Sequence, residues 1–169
     1  MILAVDVHYS ENHATVAGVV FETWTDETPD MELACSVKNI ADYQPGQFYK
    51  RELPCILKLI EATGLQPECI VVDGLVYLDG SSKAGLGRHL FDALGGKVPV
   101  IGVAKKLFKG ISPQHEIYRG ASAKPLYVTA VGVDLIQAKE YVRSMHGKYR
   151  QPTLLKWVDR VCRSSEQKS

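Results

Sequence analysis

Two short stretches of this chain, Cys69-Ile70-Val71-Val72-Asp73 and Val98-Pro99-Val100-Ile101-Gly102-Val103, are almost continuously apolar and stand about one helix apart. A half-exposed strand alternates apolar and polar side chains, so runs without alternation read as strands covered on both faces. Between them Ala84 to Leu94 can form a helix closed by Gly95-Gly96, and the unit reads as two parallel strands joined by a crossover. Residues 2–8, 13–24 and 31–38 are also apolar and rich in β-branched residues, with a turn at Asp26-Glu27-Thr28-Pro29-Asp30. They predict three successive antiparallel strands. Phe48, Glu52, Ile56, Leu59, Ile60 and Thr63 recur at helical spacing until Gly64 and Pro67, predicting a helix of about 16 residues that starts near Gln47. A strand over Leu126–Thr129, a helix from Leu135 to about His146 and a last helix over Thr153–Cys162 complete the pattern.

This order of elements is that of a ribonuclease H-like α/β fold: a mixed sheet of five or more strands, three antiparallel and then parallel, flanked by helices. Parallel crossovers are right-handed almost without exception, which leaves few arrangements and sets the first and fourth strands side by side. The expected site lies at the carboxyl ends of those two strands.

With 169 residues the chain is long enough for one domain of ordinary size. We expect it over residues 1–163, with a polar tail over 164–169. Its 46% apolar and 23% charged residues exclude disorder as the main state. No window approaches 18 uncharged apolar residues, and the opening Met-Ile-Leu-Ala-Val-Asp run has neither a basic leader nor a cleavage site; no membrane span and no secretory signal are expected. Cys35, Cys55, Cys69 and Cys162 include no C-x-x-C pair, which argues against a zinc site or a disulfide framework and for a reducing compartment, the cytoplasm or, in a eukaryote, the nucleus. Residues 1–82 hold 4 Lys+Arg against 13 Asp+Glu, whereas residues 83–169 hold 16 against 6. An acidic centre facing a phosphate-binding surface is the arrangement such a division suggests.

Asp6 interrupts an apolar strand between Val5 and Val7, and Asp73 ends the fourth strand just before Gly74. Carboxylates on adjacent buried strands repel each other and are costly to desolvate unless a cation neutralises them. Glu52 adds a third, on the helix face that carries Phe48 and Ile56. Taken singly, Asp73 reads as a strand-end cap and Glu52, beside Arg51, as a solvated helix charge. Taken together, three inward carboxylates without a His/Cys cluster describe a hard-cation site, with magnesium or manganese the natural occupant. Two-metal phosphodiester cleavage needs such a set.

Tyr43-Gln44-Pro45-Gly46-Gln47-Phe48-Tyr49-Lys50-Arg51-Glu52-Leu53-Pro54 resembles, without gaps, the Tyr-x-Pro-Gly…Arg-Glu-x-Pro motif of the endonuclease V family. Val5-Asp6-Val7-His8-Tyr9, Val71-Val72-Asp73-Gly74 and Pro99-Val100-Ile101-Gly102-Val103-Ala104-Lys105-Lys106 follow the family's order and approximate spacing. The resemblance implies a magnesium-dependent endonuclease that recognises inosine or deoxyinosine and cuts one phosphodiester beyond it on the 3′ side. It implies Asp6, Glu52 and Asp73 as metal-holding and catalytic residues and Lys105 as the active-site lysine. Tyr43 would be part of the wedge that fills the gap left by the displaced base; Pro45, Gly46, Gly74, Lys105 and Lys106 would also contact the nucleic acid. An aromatic wedge can replace lost base stacking worth about 1–3 kcal/mol.

The chain departs from the family in two places. Asp73-Gly74-Leu75-Val76-Tyr77-Leu78-Asp79-Gly80-Ser81 lacks the second glycine and the His-Pro-Arg of the family loop. Val76 in place of that glycine implies a reshaped base pocket and weaker discrimination of inosine. The family's Gly-His near the penultimate helix is also missing, and Asp134, with Gln137 three residues on, reads as a helix cap. His89 matches a family histidine but reads as a packing residue.

The leading reading is a metal-dependent nuclease acting as a monomer on single-stranded or lesion-containing DNA or RNA. Its rivals are a nuclease of this fold acting on another structure, and a nucleic-acid-binding relative that has lost efficient cleavage. The three retained acids favour an enzyme, because a pure binder gains nothing from carboxylates facing a polyanion. Lys105, Lys106, Lys109, Arg119 and Lys124 are expected to line the route of the nucleic-acid backbone.

Overall fold

The computed structural model describes residues 1–11, 13–38 and 49–167. In chain order the elements are β1 (Ile2–Tyr9), β2 (His13–Phe21), β3 (Met31–Lys38), α1 (Tyr49–Thr63), β4 (Cys69–Asp73), α2 (Leu86–Ala93), β5 (Val100–Ala104), β6 (Glu116–Ile117), β7 (Leu126–Val131), α3 (Leu135–Ser144) and α4 (Thr153–Gln167). One seven-stranded sheet has the order β3-β2-β1-β4-β5-β7-β6. The first three strands pair antiparallel, β1, β4 and β5 run parallel, and β7 returns antiparallel between β5 and β6. Strand β4 therefore lies beside β1, as the crossover argument requires.

Local differences from the expected boundaries have local causes. Helix α2 starts at Leu86 because Ala84 is engaged in an isolated bridge to Tyr77. Strand β6 is two residues long, too short to leave a periodic signal. Helix α4 runs on to Gln167, so the segment expected as a polar tail begins as helix. The expected helix start at Gln47, together with Phe48, the wedge residue Tyr43 and the expected nucleic-acid contacts Pro45 and Gly46, lies outside the described residues.

Strand alternation divides the core between the two faces of the sheet. Leu3 and Val5 of β1 and Ile70 and Val72 of β4 pack against Ile56 and Leu59 of α1 and Leu90 of α2. Ile2 and Ala4, with Val71, face Ala138 and Val142 of α3 and Leu154, Val158 and Cys162 of α4. The same parity assigns Asp6 and Asp73, the next residues in phase, to the α4 face. All four cysteines are free thiols. Among the described residues no helix is long and apolar enough to cross a membrane.

Candidate active site

Val5 and Val72 are the last paired residues of β1 and β4, so Asp6 and Asp73 follow side by side where the strands leave the ladder. Asp6 has its carboxyl within hydrogen-bonding reach of Asp73 and of Asp159 on α4. Burial, then the charge of Asp73, then the contact with Asp159 push its pKa up; the Val7 N–H, donating to Oδ1 at 2.9 Å, acts the other way. Asp73 opens to solvent at the cleft floor, yet the crowding of protein around it is still the largest cause of its raised pKa, opposed first by the Lys105 ammonium. Glu52 is only 7% exposed. Burial and the charges of Asp6 and Asp73 raise it well above the carboxylate range, while Arg51 pulls it back.

Arg51 has its guanidinium carbon 3.9 Å from the centre of the Tyr9 ring, which pins the start of α1 to the end of β1. Two residues earlier Tyr49 stacks on His89 of α2, ring centres 3.7 Å apart and planes 17° from parallel. His89 is therefore a packing residue, as its sequence context suggests. Asp134 caps α3, accepting from the Gln137 N–H at 3.4 Å, so it is committed there.

Two cavities share Asp6, Asp73 and Lys105. The larger, about 690 Å³, adds Glu52, Tyr9, Tyr49, Gly74, Leu75, Leu78, Gly85, Leu86 and Lys106, with Leu107 and Phe108. That volume is in the range of pockets that enclose a small ligand. The smaller lies toward α4 and is lined by Gln151, Leu155 and Val158. Lys105, Lys106 and Gly74 line the larger cavity.

Two expectations are corrected. Val76 does not line the cleft: it is fully buried, its N–H donates to Thr129 Oγ1 at 2.8 Å, and a Cβ on Gly87 would come within 2.6 Å of its Cγ2. The side chain turns into the core because Gly87 leaves room for it there, and Leu75, Leu78, Gly85 and Leu86 form the wall instead. Arg119 does not line a nucleic-acid route either. It is 5% exposed, and its guanidinium donates to the carbonyl oxygens of Met145, Gly147, Tyr149 and Arg150. Lys109 and Lys124 are exposed.

The donor set is all oxygen, and buried acids that share protons are the groups a hard divalent cation would relieve. Among the described residues, no three Asp, Glu, His or Cys side chains already surround one point at coordinating distance. The chemical type of the residues fits such an ion, toward which the side chains of Asp6, Glu52 and Asp73 would have to turn.

The sequence model of endonuclease V matches residues 1–127. The chain belongs to the endonuclease V family. The family's enzyme from Nocardia farcinica is 30% identical over 97% of this chain and 80% of its own length. The solved endonuclease V of Streptomyces avermitilis is 26% identical, with a TM-score of 0.76 over 99% of this chain and 81% of its own. That of Ciona intestinalis, solved with a 24mer DNA containing an inosine followed by a ribo-adenosine, has a TM-score of 0.81 at 21% identity, covering 99% of this chain and 86% of its own. The ribonuclease H-like arrangement is the fold of this endonuclease V family member.

Asp6, Glu52, Asp73 and Lys105 all fall within the family match, whereas Asp159 lies beyond it. Sequence reasoning missed Asp159. Its signal was a polar break in the apolar stripe Leu155, Val158, Cys162, one helical turn after Leu155. Cys162, three residues on, donates its thiol to Thr15 O at 2.9 Å and to Asp6 O at 3.6 Å, which fixes α4 against β1 and β2 at this level.

Proposed function

We propose that this protein is a magnesium- or manganese-dependent endonuclease that hydrolyses the phosphodiester one nucleotide beyond an inosine or deoxyinosine, on its 3′ side. The observation that carries this reading is the convergence of Asp6, Glu52 and Asp73, acids from β1, α1 and β4, with Lys105 on the lining of one cleft. A bound divalent ion would supply activation of the attacking water and charge neutralisation at the phosphate. Asp6, Glu52 and Asp73, joined by Asp159, would hold it.

The chain's own groups do the rest. Lys105, the cation nearest Asp73 in its electrostatic balance, neutralises charge on the phosphate. Leu75, Leu78 and Leu86 form an apolar wall for a displaced base, and exposed Phe108 and Leu107 stand on the cleft lining. With so few side-chain donors there, base identity is read by main-chain groups and shape. The DNA-bound Ciona relative supports an inosine-containing substrate.

The test is cleavage of end-labelled single strands of DNA and RNA, with and without one inosine, in EDTA, magnesium or manganese. A single cut on the 3′ side of inosine, lost in EDTA and in Asp6→Asn, Glu52→Gln and Asp73→Asn, is expected. Binding without cleavage under every metal condition would replace this reading by that of a nucleic-acid-binding relative.

A further inference from the structure

Tyr149 is 59% exposed, and two ammonium groups stand at its ring: Lys156 Nζ 4.5 Å and Lys148 Nζ 5.5 Å from the ring centre. Among the described residues neither lysine forms an ion pair with a carboxylate. A large exposed aromatic flanked by cations of one sign is the pairing that single-stranded nucleic acid uses, with bases stacking on the ring while phosphates meet the ammonium groups.

The main chain of the segment that carries this ring is anchored by a buried charge. The buried Arg119 guanidinium takes the carbonyls of Met145, Gly147, Tyr149 and Arg150, and Gly120, at φ +61°, lies so close that a Cβ there would meet Lys148 O at 2.1 Å. Four carbonyls of one loop thus converge on the two terminal nitrogens of one buried charge, which anchors the loop backbone. This anchors the main chain that carries Tyr149, so that less ordering of the loop is needed when a strand binds.

Position completes the argument. Gln151 lines the cavity that contains Asp6, Asp73 and Lys105, and two residues of chain span at most about 7 Å. The base cleft opens on the α1 and α2 side of these acids and the Gln151 cavity on the α4 side. A strand with its base in the cleft and its phosphate at the acids would, on leaving toward α4, pass Gln151 before reaching Tyr149.

Resting on the reading that the substrate is a nucleic-acid strand, we propose that Tyr149, Lys148 and Lys156 form a second binding site, for the single-stranded flank that leaves the active site on the α4 side. Tyr149 stacks one base and the two lysines neutralise neighbouring phosphates.

Fluorescence anisotropy in EDTA with a labelled, inosine-containing single strand tests this without requiring cleavage. Tyr149→Ala is expected to weaken binding by about five- to a hundredfold, while Tyr149→Phe restores it, since stacking needs the ring and not the hydroxyl. Lys148→Ala with Lys156→Ala is expected to reduce the slope of log affinity against log salt by about 1.4, at about 0.7 per phosphate. Strands truncated on one side of the inosine should lose the Tyr149 effect and strands truncated on the other should keep it. Unchanged affinity in Tyr149→Ala, an unchanged salt slope in the double lysine variant, or no binding by the parent would overturn the proposal. A parent that binds in this pattern but never cuts would leave the site standing and remove the nuclease reading; a parent that cuts while Tyr149→Ala binds normally would do the reverse.

Discussion

Asp159 of α4 and Asp6 of β1, from opposite ends of the chain, meet carboxyl to carboxyl on one face of the sheet. Asp6 already faces Asp73 across the gap between β1 and β4, so the contact gathers three acids where two would repel. An apolar helix face that admits one aspartate at this point, one turn from the buried Cys162, gives up hydrophobic contact for charge. Arg163, one turn on, donates to both Asp159 oxygens at 3.1 and 3.2 Å, so Asp159 carries its charge between that guanidinium and the Asp6 carboxyl.

Asp159→Asn should therefore cut metal-dependent cleavage by about ten- to a hundredfold, as loss of a metal-orienting group does. It should not unfold the protein, because one of the charges repelling Asp6 is removed. Cleavage kinetics together with the melting temperature in EDTA check both halves; a loss of activity that merely tracks a lower melting temperature would contradict the assignment.

The same crowding predicts how stability follows pH. Asp6 is raised from an ordinary 3.8 to about 8, so between those values the native state holds a proton that the unfolded chain has released. Stability from this group is full below about pH 4 and is lost as pH rises toward 8. Glu52, raised for the same reasons, acts in the same direction. Melting curves in EDTA should fall between pH 5.5 and 8 by several degrees, at about 2–4 °C per kcal/mol for a chain of this size. Magnesium or manganese should restore more at pH 8 than at pH 5.5, because the ion needs the ionised ligands. A flat profile in EDTA would count against the clustered acids.

Val76→Gly separates the core from the cleft. The substitution removes a fully buried side chain and adds backbone freedom, and should cost about 2–4 kcal/mol in urea unfolding. It should leave the ratio of inosine to undamaged cleavage unchanged. Leu78→Ala, on the cleft wall, should change that ratio by about tenfold or more while costing less stability.

Arg119→Met should destabilise the protein by about 3 kcal/mol or more, since four loop carbonyls lose a charged donor. If Arg119 instead met phosphate, the substitution would weaken binding and leave unfolding alone.

Much of the fold was legible before any coordinates, because the information was local. Continuous apolar runs marked β4 and β5 as covered strands, and right-handed crossovers then set β4 beside β1. Asp6, Asp73 and Glu52 could be singled out because a charge inside an apolar strand or on an apolar helix face is an anomaly visible in one dimension. The family motif narrowed them further.

What the sequence by itself determined is thus the strand and helix pattern, the family, and the acids that interrupt apolar elements. The tertiary structure alone decided which side chains share a space. Asp159 joins Asp6 because α4 packs across β1 and β2, Val76 turns inward because Gly87 leaves a hole for it, and Arg119 is spent on a loop nearly thirty residues away in the chain. These outcomes depend on contacts between residues far apart in sequence, whose free energies exist only once the sheet and helices have closed on each other; no local pattern encodes the partner of a buried charge or the direction a loop side chain takes.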